Sequence, residues 1–205
     1  MEDGSTLLDN NFFGSNEITG TITLDGTVSI NVANAFSDIV TSSGVIGGLG
    51  VTLNKDGAGT LALSGTNDFT GPANPALYAV NVNDGTLVGS NDALGDAGNK
   101  VFVDNGATLE LAGISLLIQQ NIEFATGSTL KQNINGAANE MSGNIALTGT
   151  FNVEVGNAIT DSLALSGVVS GGSVTFNKTG LGTLVMSGSS ANTYTGTTNI
   201  TNGFI

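Results

Sequence analysis

Along this chain the apolar residues recur at every second position, in short bursts. In Thr60-Leu61-Ala62-Leu63-Ser64 the large side chains alternate with small ones, and Val28, Ile30 and Val32 and then Phe151, Val153 and Val155 do the same. A period of two puts alternate residues on opposite faces, so each burst predicts a half-buried β-strand. No segment carries the longer period of an amphipathic helix. The one extended apolar patch, ISLLIQQNI at 114–122, is short and rich in Ile, and it predicts a strand or a strand–turn–strand.

The bursts belong to a repeat. GTITLDGTVSINVANAFSD, from Gly20, aligns with GNIALTGTFNVEVGNAITD, from Gly143, and VTLNKDGAGTLALSG aligns with VTFNKTGLGTLVMSG at the same offset of 123 residues. We assign the internal repeats to 20–71 and 143–196, within a single β-helix unit spanning 1–205. The first copy then carries an insertion, GPANPALYAV, before NVNDGTL, which matches the terminal NITNGFI. Because the second copy stops where the first still runs, the sequence is expected to be a fragment of a longer protein.

A smaller spacing lies inside the large one. Gly85, Gly106, Gly127 and Gly149 recur every 21 or 22 residues, each beside a turn residue and ahead of an apolar one. Such a unit holds about three short strands and three turns, one coil of a stacked architecture. A β-sandwich or up-and-down barrel also uses many short strands but has no reason to keep glycine in phase. The expected fold is therefore all-β, a right-handed parallel β-helix (solenoid) with rungs of about 21 residues. About ten rungs at the inter-strand spacing would make a rod on the order of 45–50 Å long.

Composition narrows the function. The net charge is −13, with four Lys and no Arg, so binding to nucleic acid is excluded as a principal role. No apolar run is long enough for a membrane-spanning helix, and direct membrane insertion by this segment is not expected. The chain has no Cys, which removes disulfide and thiolate chemistry and suits a protein exported unfolded. Without His there is no Ser-His-Asp triad, and no phosphate-cradling loop is present. The GVIGGLG run at 44–50 precedes a strand pattern rather than a helix, which rules out a dinucleotide fingerprint.

The remaining candidates are few. Asp92 with Asp96, or Asp104 with Glu110, could stand as the carboxylate pair of a glycosidase, but turn capping accounts for them more simply. The oxygen-rich stretch from Asn91 to Asn99 could hold Ca²⁺ near Asp92 and Asp96, although it matches neither an EF-hand loop nor the glycine- and aspartate-rich nonapeptide. Lys55 and Lys178 read as rim residues whose stems cover apolar surface. The insertion reads either as a variable loop with no role of its own or as a protruding binding loop, and for the second reading Tyr78 is the first residue to test. We assign no catalytic, cofactor-binding or metal-binding residue.

The run Lys55-Asp56-Gly57-Ala58-Gly59-Thr60-Leu61, followed by Leu63-Ser64-Gly65, Asn67, Phe69-Thr70-Gly71 and Asn81 to Leu87, resembles the autotransporter-associated β-strand repeat. The second copy fits through Lys178, Gly180, Gly182, Thr183, Leu184, Ser187, Gly188, Asn192, Tyr194, Thr195, Gly196, Thr197, Ile200 and Gly203. The resemblance covers about a third of the chain. It implies a surface or secreted passenger of a type V system in a Gram-negative envelope, followed in the parent protein by a C-terminal translocator barrel. It implies a structural and interaction module, an adhesin-type rod that meets a host surface or matrix ligand and assists its own export by folding rung by rung. It does not imply an enzyme. The alternative reading is a carbohydrate-active β-helix enzyme, a polysaccharide lyase or hydrolase.

Overall fold

The computed structural model describes residues 1–9, 14–34, 38–90 and 92–205. Among them every regular element is a β-strand, and every pairing is parallel. The strands stack into a β-solenoid of about eight turns. Each coil contributes in order to a first sheet of eight strands, a second sheet of nine, and a third position that forms short ladders at each end of the stack. The first sheet begins with Thr6–Asp9 and ends with Val169–Ser170. The second runs from Ser15–Ile18 to Gly196–Ile200.

The alternation in the sequence is the alternation of burial. Thr60–Leu63, Thr86–Gly89, Lys100–Val103 and Thr108–Leu111 each place the second and fourth residues inside. Parallel register then stacks like on like. Leu61, Leu87, Leu109 and Leu130 form one unbroken ladder on the second sheet, and all four are fully buried. Near the C-terminal end Phe124, Phe151, Phe176 and Tyr194 follow one another with ring centroids 4.8, 5.2 and 5.6 Å apart. The patch at 114–122 is the expected strand–turn–strand, Leu117–Ile118 and then the start of Asn121–Phe124.

Rung length varies. Thr108 pairs with Thr129, an advance of 21, whereas Leu53 pairs with Val80, an advance of 27. The 21-residue period is the bare coil; longer rungs carry extra residues at the corners, outside the ladders. There are accordingly about eight coils rather than ten, and the rod is shorter than the sequence estimate in the same proportion.

At one corner adjacent coils touch backbone to backbone. A Cβ on Gly65 would stand 2.1 Å from the Gly44 carbonyl oxygen, and one on Gly44 would stand 2.1 Å from that of Gly20. Gly167 and Gly143 repeat the arrangement at 2.0 Å in the later coils. The Ser-Gly of the repeat is therefore a contact glycine. Any side chain there would force the stacked coils apart.

Candidate functional site

The two repeat copies contain the same constellation. Lys55 lies on Thr52–Asp56, in register between Ile30 of the coil before and Val82 of the coil after. Both strand neighbours of a Lys55 stem are thus aliphatic, and the lysine is fully buried. Its ammonium donates to three carbonyls: Asp56 at 3.0 Å, Gly57 at 2.5 Å and Asp84 at 2.9 Å. The first two belong to its own corner, the third to the following coil. Lys178, between Val153 and Ile200, repeats this with Thr179 at 2.6 Å, Gly180 at 2.9 Å and Asn202 at 3.2 Å. The rim assignment is thus corrected: both lysines point into the solenoid. They sit in phase with Leu53 and Phe176, two residues earlier, and are tolerated because a cup of backbone carbonyls satisfies the buried charge.

The glycines build the cup. Gly57 and Gly180 both turn at φ +76°, a conformation that directs the chain around the lysine tip and that residues with a Cβ resist. Gly85 in the next coil rests on this corner: its Cβ would lie 2.4 Å from the Gly59 carbonyl and 2.6 Å from that of Gly57. Gly203 meets Gly182 and Gly180 at 2.3 and 2.6 Å in the same manner. The K-x-G-x-G segment and the later [Asp/Asn]-Gly are thus two halves of one clamp joining consecutive coils. Backbone bonds close it: the Asn83 amide donates to Lys55 and that of Thr86 to Gly59, matched by Thr201 to Lys178 and Phe204 to Gly182.

Burial pushes the Lys55 ammonium down to about 8, against the pull of Asp84 and Asp56. Lys178 is lowered for the same reason. The repeat asparagine acts at the third position. Asn67 accepts from the Ile46 amide at 2.8 Å and donates to Ala93 at 2.8 Å, linking three coils. Asn192 accepts from the Val169 amide at 2.8 Å.

The other sequence candidates fall into turns and surface pairs. Asp96 accepts from the Gly98 amide at 2.8 Å, and Asp104 accepts from that of Asn105 at 2.7 Å. Asp92 sits in a turn at φ 57°, and Asn91 lies outside the described residues. Glu110 pairs with Lys131 of the next coil at 3.3 Å. Among the described residues no group of three acidic or other ligating side chains comes together. Tyr78 is anchored rather than presented: its ring lies 5.2 Å from that of Phe102 and its hydroxyl donates to Glu123 at 2.5 Å. Burial, then the hydrogen bond to Glu123, pushes its pKa up to about 12.

This geometry defines a class, a parallel β-solenoid whose coils are joined at intervals by a lysine–glycine clamp. The chain matches the family model described as passenger-associated-transport-repeat at residues 53–88 and 176–204, together about a third of its length. Each matched segment starts two residues before the clamp lysine and runs past the glycine of the next coil. Together with the solenoid, the two matches support an autotransporter passenger with transport-associated repeats. No curated protein and no solved structure matches the chain.

Proposed function

We propose that this chain forms part of the rigid rod of an adhesin-type autotransporter passenger, displayed on or released from the Gram-negative cell surface, and that its clamps help drive its own export. The parent protein would carry the C-terminal translocator barrel, and a host surface or matrix component would be the partner. The observation that carries this reading is the division of the clamp between coils. Lys55 finds its third carbonyl, Asp84, only when the following coil has been laid down. A chain emerging into solvent would therefore gain a buried lysine with all its partners, a strand pairing and a length of dry ladder with each added coil. At about 25 cal/mol per Å² of apolar surface, that burial favours continued winding over return into the pore. The repeat has a structural role here, which the all-backbone partners of its two lysines support.

Pulse-chase appearance of the passenger at the surface of cells carrying a complete autotransporter tests the proposal. Lys55→Met, Gly59→Val and Leu61→Asp should each delay exposure to external protease. Unchanged export kinetics, with the altered coil shown to be misfolded, would contradict it.

A further inference from the structure

The two copies differ most between the motif aromatic and the following asparagine. Nine residues separate Gly71 from Asn81, whereas two separate Gly196 from Asn199. The extra residues form a loop folded onto the outside of the first sheet and pinned at three points. The Gly71 amide donates to Asn99 at 2.7 Å, Lys100 Nζ donates to the Pro75 carbonyl at 2.8 Å, and Tyr78 is held by Phe102 and Glu123. Lys100 also lies 4.8 Å from the centre of the Tyr78 ring. Beneath the loop is a cavity of about 350 Å³, within the range of small-ligand clefts.

Its lining has two characters. Pro72, Pro75 and Leu77 offer carbon surface, and Leu77 is half exposed at 51%. Asp96, Lys100 and Asn121 face the same space with capacity to spare. Asp96 has one oxygen engaged by Gly98, Lys100 has given one proton to Pro75, and Asn121 uses its carbonyl on the Asn144 amide. Donors and acceptors are therefore both free, and the two charges are opposite. On a chain of net charge −13 an anionic ligand would be repelled, and a purely apolar one would strand these polar groups. A ring with C–H faces and hydroxyl edges satisfies both walls. Lys100 and Asn121 also line a second cavity of about 170 Å³, which reaches Asn144 and Ser170 in the next two coils. The two cavities follow one another along the rod, as a ligand made of linked rings requires.

We propose that the loop of the first repeat builds a binding site for a neutral oligosaccharide on the outer face of the first sheet. This deepens the adhesin reading by naming its ligand class. The test does not involve export, so the two can fail separately. The full chain, labelled with ¹⁵N, is titrated with cellotriose, maltotriose and N,N′,N″-triacetylchitotriose, with trigalacturonate as the acidic comparison, up to about 10 mM, beyond the millimolar range of weak sites. At least one neutral trimer should shift the amides of Leu77, Lys100 and Asn121 in a saturable way. Asn121→Ala and Leu77→Asp should weaken that binding about tenfold or more while leaving the spectrum elsewhere unchanged. Replacing residues 72–80 by Thr-Thr, as in the second copy, should abolish it. No saturable shift with any neutral trimer, preference for the acidic trimer, or binding that survives these surface variants would overturn the proposal.

Discussion

The two repeat copies share nearly every motif residue, yet they do not occupy the same side of the rod. Leu53 advances through Val80, Val101, Ile122 and Ile145 to Val169 in five steps along the first sheet, 116 residues in all. Its sequence counterpart Phe176 lies seven residues further on, in the second sheet. The whole second copy is thus displaced by one face: its clamp joins the second sheet to the third position, where the first copy's clamp joins the first sheet to the second. The lysine still finds three carbonyls, and the glycines still meet glycine carbonyls. The repeat is therefore a corner module that works at two different corners of the coil, and its chemistry depends on the coil that follows rather than on the sheet it starts from. That dependence is the second difference. In the isolated 205-residue chain the first clamp has further coils stacked beyond it, whereas the strand Gly196–Ile200 that covers the second is exposed.

Substitutions made in pairs separate the module from its surroundings. The largest effect is expected at the contact glycines. Gly65→Val drives a side chain into the Gly44 backbone and should cost more than about 4 kcal/mol in denaturant unfolding. Gly188→Val, whose Cβ would stand 2.6 Å from the Ser166 carbonyl against 2.1 Å at Gly65, should cost about half as much. Lys55→Met leaves three carbonyls without their donor and should cost about 3 kcal/mol, and Lys178→Met about 1–2 kcal/mol. Equal losses for the two lysines would show that the coil beyond a clamp adds nothing to it. Asn67→Ala removes two buried bonds and should cost about 2 kcal/mol, against about 1 kcal/mol for Asn192→Ala.

The remaining effect is a slope with pH rather than a single loss. The folded state holds Lys55 near 8, while the unfolded chain holds it near 10.5. Between those values the unfolded state binds more protons, so this group makes stability rise with pH. Tyr78, held near 12 instead of 10, acts in the opposite sense, and its contribution falls as pH climbs from 10 to 12. Melting temperatures from pH 8 to 10 should therefore climb less in Lys55→Met than in the parent chain.

The architecture was legible in the sequence because a solenoid imposes its period on the glycines and its pleat on the apolar residues. Rung number was less so, since extra corner residues lengthen the chain without adding a coil. The face occupied by each copy was hidden for the same reason, being the running total of all corner lengths. The lysines were misplaced by the rule that charge points outward. Their phase was visible nonetheless: in Leu53-Asn54-Lys55 and Phe176-Asn177-Lys178 alternation sets the lysine on the buried side, and the glycines that follow supply its partners. The loop stood out in the sequence by its two prolines and its absence from the second copy, and it is the segment on which the oligosaccharide proposal rests. Tyr78 was not the residue it presents, because Phe102 and Glu123, which hold it, are contributed by coils 24 and 45 residues away.

Native-state hydrogen exchange tests the clamp most directly. In Lys55→Met the amides of Asn83 and Thr86, which bond back to Lys55 and Gly59, should exchange much faster than in the parent chain. Those of Thr201 and Phe204, which hold the same positions at the second clamp, should keep their rates. Faster exchange spread evenly along the chain, or no change at Asn83 and Thr86, would contradict the claim that the buried lysine fastens each repeat to the coil after it.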